Sequence, residues 1–195
     1  PAHVSVLRGL EIRETAVRSV IVGGEELTPE QVETLSRLHP GMRIYNEYGP
    51  TEATIGCTVA RVEGPPVTIG KPIDNTRIYV IDSAGELKPV GVVGELCVSG
   101  DGLALGYWND PGQTAAKFVD HPFRPGERLY RTGDRAKWLP DGNLLLLGRV
   151  DRQVKIRGNR IELGEIEKRI RRLPEVADVA VIDRRGAQGD PAVDH

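Results

Sequence analysis

Apolar residues recur along this chain in two rhythms, broken by Gly- and Pro-rich stretches, and each rhythm predicts an element. The run 17–22 reads as a buried strand that ends in Gly23-Gly24. Thr28-Pro29-Glu30-Gln31 then supplies a capping hydroxyl, a proline at the first helical position and a capping-box glutamine. Val32, Leu35 and Leu38 follow at helical spacing, and His39-Pro40-Gly41 stops the helix. Residues 42–45 form the next strand, so the segment is a βαβ-like unit with the turn after Tyr48 at a strand's C-terminal end. Open α/β sheets bind ligands there. Ile21, Gly23 and Gly24 close the neighbouring strand and border the same crevice.

From Thr54 onward the texture becomes short strands and turns. Runs 54–60, 76–81, 95–99, 136–139 and 143–147 read as strands, and Pro140-Asp141-Gly142 is a hairpin signal. A helix over 113–119 interrupts what reads as a small twisted sheet or distorted barrel. After Gly148 come a strand pair (153–156, 160–162), a helix (163–172) and a strand (176–182). Leu163, Ile166, Ile170 and Leu173 mark the helix's buried face. Glu165 with Arg169, and Glu167 with Arg171, are expected as ion pairs on its solvated side.

Composition narrows the partners. The 195 residues carry a formal net charge of -2 with mixed signs, which gives no reason to expect nucleic acid or an anionic membrane as partner. No apolar run approaches the roughly 20 residues of a membrane span. Cys57 and Cys97 each sit in apolar surroundings and read as buried free thiols of a cytoplasmic protein. Four scattered histidines lack ligand spacing and read as surface or loop positions. A chain that starts at Pro1 and stops after a strand-like run reads as an excerpt of a longer protein.

Asn46-Glu47-Tyr48-Gly49-Pro50-Thr51-Glu52 gathers the most chemistry into the fewest residues. A Gly next to a Pro predicts a tight turn that converges the flanking side chains. A flat ring for a base, a hydroxyl for a phosphate and a carboxylate for Mg²⁺ together suit a nucleotide site. Two other glycine-rich stretches do not. Residues 64–71 mimic a phosphate loop with one residue too many and Pro72 where a hydroxyl belongs; residues 100–106 mimic a dinucleotide turn with one residue too many.

The heptad resembles the NxYGPTE segment of nonribosomal peptide synthetase adenylation domains. Three further stretches follow in that family's order. They are the run from Gly94-Glu95-Leu96 to Gly106-Tyr107-Trp108, then Tyr130-Arg131-Thr132-Gly133-Asp134, then the run from Gly148-Arg149-Val150-Asp151 to Glu165-Ile166-Glu167. The resemblance implies α/β plus α+β architecture. Residues 1–57 would end a doubly wound α/β core, 58–148 form its distorted-barrel subdomain, 149–152 the hinge, and 153–195 a truncated α+β lid.

It also implies roles. ATP and Mg²⁺ would be bound by Asn46 and Tyr48 at the adenine, Thr51 at a phosphate oxygen, Glu52 at the metal, Asp134 at the ribose hydroxyls and Arg149 at the ribose or phosphates, with Gly49 also in the nucleotide site and Thr51 and Glu52 as the catalytic residues. Ile21, Gly23, Glu47, Ile55 and Gly56 would line the amino-acid pocket. Glu47 either faces a hydrogen-bonding substrate side chain such as an amide or turns to solvent. Asp151 would be the hinge about which the lid swings. Gly158 would flank the path of the phosphopantetheine arm, which is carried by a peptidyl carrier domain, and Lys155 would be structural or carrier-facing. An MbtH-like partner would contact Thr114-Ala115-Ala116. The whole would be a monomeric module of a multidomain chain.

Leu105, Arg135 and Leu146 depart from the family's usual arginine, leucine and aromatic residue, and Leu146 weakens the expected base sandwich. Neither a Ser/Thr/Gly-rich phosphate loop nor a terminal lysine motif is present, so the isolated stretch is expected to be inactive. An acyl- or aryl-CoA ligase and a non-catalytic docking module are the alternatives.

Overall fold

The computed structural model describes Val4 and residues 16–39, 41–151, 153–156 and 159–183. The chain divides into two compact units, 1–150 and 151–195.

In the first unit a four-stranded sheet runs β1 (Ser19–Val22), β2 (Arg43–Tyr48), β3 (Thr58–Val62), β4 (Lys71–Pro72), with β1 parallel to β2 and the other pairs antiparallel. Helix α1 (Pro29–Leu38) is the crossover from β1 to β2. Thr28 caps it as expected: its Oγ1 accepts from Gln31 N, and Gln31 Oε1 accepts from Thr28 N. Val32 and Leu35 of α1 join Val22, Leu27, Ile44, Ala60 and Val62 in one buried cluster.

Strand β2 reaches Tyr48, three residues past the predicted end. Asn46 and Tyr48 therefore alternate with Glu47 across the sheet, and the expected convergence of their side chains does not occur on the strand itself. It begins after Gly49. A 3₁₀ turn (Thr51–Ala53) leads into Thr54 and Ile55, both left-handed at φ 56° and 71°. The expected strand over 54–60 accordingly starts only at Thr58, because two left-handed residues cannot join a ladder.

The second sheet runs β5 (Thr76–Ile81), β6 (Gly94–Gly100), β8 (Arg128–Trp138), β7 (Phe118–Asp120), with β9 (Leu144–Arg149) also on β8. Leu144 bridges to Gly70 and ties this sheet to the first. Tyr48, Ala53, Cys57, Ile69, Val80, Leu96, Val98 and Leu144 fill the space between. Helix α2 (Pro111–Lys117) is capped by Asp110 and ends before Phe118, two residues short of prediction, where the chain joins β7.

The second unit pairs β10 (Gln153–Ile156) with β11 (Asn159–Glu162), followed by α3 (Leu163–Ile170). The helix ends at Ile170, short of the expected 172, and Ile166 and Leu173 of its expected buried face are 40% and 53% exposed. Residues 176–182 form no strand ladder, and Glu167 is not solvated but only 6% exposed. Its Oε1 accepts from Val181 N at 2.8 Å, and Arg171 donates to Val179 O at 3.1 Å. Side chains of α3 and of its C-cap Arg171 thus replace the missing ladder partners of that segment. Gly158 and the side chain of Lys155 lie outside the described residues.

Candidate nucleotide site

Position 134 is where the second sheet departs from regular pairing. On β6, Glu95 and Cys97 face Arg135 and Arg131, so β8 carries extra residues at Thr132-Gly133-Asp134. On the other flank, Asp134 faces Arg149 while Ala136 faces Leu146, which puts an extra residue into β9. Bulges re-aim side chains, and Gly133 takes the φ of 77° that this one needs. The bulge is pinned by Thr132 Oγ1, which donates to Leu96 O at 2.6 Å and accepts from Asp134 N at 2.9 Å.

So aimed, the Asp134 carboxylate meets two donors. The Tyr48 phenol donates to Oδ2, across 86 positions of sequence. Arg149 Nη1 donates to Oδ1 at 2.7 Å, and its Nη2 donates to Thr132 O at 3.1 Å. The Asp134 and Arg149 side chains are only 12% and 15% exposed. Burial, and then the Asp134 charge, hold the Tyr48 phenol well above the ordinary tyrosine range, so it stays a donor. Tyr48 lies within the core cluster, the residue as a whole only 8% exposed. Asn46, on the same face of β2, is buried with its Nδ2 donating to Thr68 O at 2.8 Å.

Gly49 makes the following loop possible. A Cβ there would stand 1.8 Å from Ile55 O, so the chain doubles back tightly enough for Cys57 N to bond Tyr48 O at 2.9 Å. Thr51 is exposed at the head of the 3₁₀ turn, and Glu52 is buried behind it. Glu52 Oε1 accepts from the Tyr107 phenol at 2.5 Å, and Glu52 O accepts from Ala104 N at 2.8 Å.

Glu47 occupies the opposite face of β2. Its Oε1 rests against Gly56, where a Cβ would come within 2.4 Å, and its carbonyl faces Gly23, where a Cβ would come within 2.9 Å. Gly23, Glu47 and Gly56 are therefore in contact. Ile21 points to the same side, 65% exposed, because it pairs with Tyr45 in register. Ile55, 70% exposed, sits on the adjoining loop.

Tyr107, Thr132 and Tyr130 escaped the sequence reading. All three lie inside the motif-like runs, but a contact such as that of Tyr107 with Glu52, spanning 55 positions, has no periodic signal. His121 lies in the loop after β7, one of the two positions expected for it, but is buried there: Tyr79 meets it edge-on at 4.6 Å, and its Nδ1 accepts from Phe123 N at 3.1 Å. Leu105 is 90% exposed and Arg135 exposed, so both departures alter surface and not core. Leu146 packs against the core cluster between the two sheets.

Among the described residues no cluster of three or more His, Cys, Asp or Glu could hold a metal by itself. Mg²⁺ usually takes one or two carboxylates and completes its shell from phosphates and water. A single buried Glu52 beside an exposed hydroxyl fits that donor set, with a nucleotide supplying the rest. No helix among the described residues is long and apolar enough to cross a membrane.

A phenol and a guanidinium thus converge on a carboxylate from three strands, beside a Gly-Pro loop that carries a second carboxylate. A sequence model of the AMP-binding enzymes matches residues 7–108, more than half of the chain, and the chain belongs to that family. Among relatives, bacitracin synthase 3 of Bacillus licheniformis is 45% identical over 97% of this chain, and tyrocidine synthase 3 of Brevibacillus parabrevis 47% identical over 91%. This chain spans only 3% of the length of each. Among solved structures, the Vibrio cholerae adenylation domain AlmE, in complex with glycyl-adenosine-5'-phosphate, superposes with a TM-score of 0.83 at 31% identity, over 98% of this chain and 38% of that one. PA1221, an NRPS protein containing adenylation and PCP domains, superposes with a TM-score of 0.78 at 38% identity, over 87% of this chain and 36% of that one.

Proposed function

We propose that the chain is part of an amino-acid-activating adenylation domain. In the intact protein the carboxylate of an amino acid attacks the α-phosphorus of ATP, pyrophosphate leaves, and the aminoacyl group passes from AMP to the phosphopantetheine thiol of a carrier domain. The observation that carries this reading is the Tyr48–Asp134–Arg149 contact, which unites the heptad with the two later motifs at one point. Relatives that are peptide synthases, and a structural neighbour in which adenylation and PCP domains share a chain, support the carrier-domain partner.

The reaction joins two anions, so its site must neutralise charge and hold the reacting carboxylate in line. Asp134 accepts the ribose hydroxyls, since each oxygen of an ionised carboxylate takes more than one hydrogen bond. Arg149 orients that carboxylate and meets the ribose or phosphates. Tyr48 sets one wall of the adenine subsite with what remains of its ring face, and Asn46 contributes its amide oxygen to the exocyclic amine. Thr51 donates to a phosphate oxygen next to Gly49. Glu52 holds Mg²⁺, which when bound neutralises phosphate charge.

Ile21, Gly23, Glu47, Ile55 and Gly56 line the amino-acid pocket on the other face of β2. Glu47, leaning on Gly56, selects a side chain able to donate hydrogen bonds. The division of the chain after Val150 supports 149–152 as a hinge, Asp151 as its pivot and 153–195 as a partial lid with Gly158 beside the pantetheine path. The preceding residues are read as the end of a doubly wound core, up to 57, and a distorted-barrel subdomain, 58–148. The exposed Ala115 and Ala116 of α2 remain the proposed MbtH-like contact. The protein works in the cytoplasm.

ATP–pyrophosphate exchange by the full-length protein across a panel of amino acids tests this. Exchange stimulated by one or a few amino acids is expected, with none from residues 1–195 alone. Acyl transfer to free coenzyme A instead would make it a CoA ligase, and neither activity would make it a docking module.

A further inference from the structure

Glu52 is held at both ends by one loop. Ala104 N donates to its carbonyl at 2.8 Å, and the Tyr107 phenol donates to its Oε1 at 2.5 Å. That loop is in turn fixed to rigid elements. Arg128 of β8 donates to the carbonyls of Ala104 and Leu105, both at 2.8 Å. Tyr107 N donates to Thr114 Oγ1 at 2.9 Å, and the same hydroxyl donates to Asp110 O at 2.7 Å, tying Tyr107 to the first turns of α2. The Tyr107 ring stands edge-on to buried Phe118 at 5.7 Å, and its hydroxyl lies 3.4 Å from that of Tyr130. A tyrosine serving packing alone needs only some acceptor for its hydroxyl. This one is anchored from three sides and spends its hydroxyl on the carboxylate.

We propose that Tyr107 is a positioning residue for Glu52, its phenol fixing the rotation of the carboxylate that receives Mg²⁺. The inference rests on the reading of Glu52 as the metal ligand. Carboxylates that ligate metals are themselves hydrogen-bonded, and loss of such an outer partner typically weakens metal affinity by about 10- to 100-fold.

The test uses the full-length protein with Tyr107→Phe, which keeps the ring on Phe118. Mn²⁺ binding in the presence of a non-hydrolysable ATP analogue, followed by electron paramagnetic resonance, is expected to weaken by about 10-fold or more. In pyrophosphate exchange the Mg²⁺ concentration for half-maximal rate rises, while KM for the amino acid stays unchanged. Unaltered Mn²⁺ affinity, even with a lowered thermal midpoint, overturns the proposal and leaves Tyr107 a packing residue. Glu52→Gln measured alongside separates the two levels. If it too leaves Mn²⁺ affinity unchanged, the metal-ligand reading itself falls; if it weakens affinity and Tyr107→Phe does not, only the positioning role falls. Should Tyr107→Phe fail to fold, Thr114→Val, which loosens Tyr107 from α2 without touching Glu52, is expected to weaken Mn²⁺ binding by a smaller factor, and no change overturns the proposal.

Discussion

Replacing Tyr48 with phenylalanine removes one oxygen and tests the contact on which the site is built. The ring survives, so no cavity opens among Ala53, Cys57 and Ile69. What is lost is a hydrogen bond from a buried phenol to a buried carboxylate, both residues 8% exposed. Hydrogen bonds to charged groups contribute about 1.5–3 kcal/mol. Asp134 keeps Arg149 Nη1 at 2.7 Å, so the lower part of that range applies, about 2 kcal/mol. At roughly 2–4 °C per kcal/mol for a domain of this size, the thermal midpoint should fall by about 4–8 °C. Urea denaturation of wild type, Tyr48→Phe, Asp134→Asn and the double variant then forms a cycle. Residues sharing a network are expected to couple by about 1 kcal/mol or more. Additive single effects, with coupling below about 0.3 kcal/mol, would refute the contact.

Three further outcomes follow from the same structure. Burial pushes the Cys57 and Cys97 thiols up to about 12 from 9.0, so their contribution is complete below pH 9 and declines between pH 9 and about 12, where only the unfolded chain ionises them. Each should add a slope near 1.4 kcal/mol per pH unit in that window, and Cys97→Ala should flatten it in pH-dependent denaturation. Thr28→Ala removes the acceptor for Gln31 N and should cost about 1 kcal/mol by urea titration. Gly49→Ala would drive a Cβ into the Ile55 carbonyl and should destabilise by about 3 kcal/mol or more, opening the 49–56 loop to proteolysis.

Local chemistry was readable where one short segment decides the outcome. The capping box of α1 is written in Thr28-Pro29-Glu30-Gln31 and needs no distant partner. Strand β2 runs past its predicted end because Asn46, Glu47 and Tyr48 pair with Ala60, Val59 and Thr58, and that register depends on a loop with two left-handed residues. Glu167 pairs with Arg171 at 3.9 Å as its i,i+4 spacing predicts, but that spacing says nothing about a later segment that takes its carboxylate as an acceptor and buries it. Likewise the heptad proclaimed a nucleotide site, yet only the three-dimensional structure places the Tyr48 hydroxyl on Asp134 and the Tyr107 hydroxyl on Glu52. Spans of 86 and 55 positions leave no trace in periodicity.

The most direct test of the account is the steady-state response of pyrophosphate exchange to Asp134→Asn in the full-length protein. If Asp134 receives the ribose, KM for ATP should rise by about 10-fold or more, equivalent to about 1.4 kcal/mol, because an amide can no longer accept at both atoms. KM for the amino acid should stay within a factor of about two. An unchanged KM for ATP, with exchange intact, would contradict the assignment of Tyr48, Asp134 and Arg149 to the adenosine site.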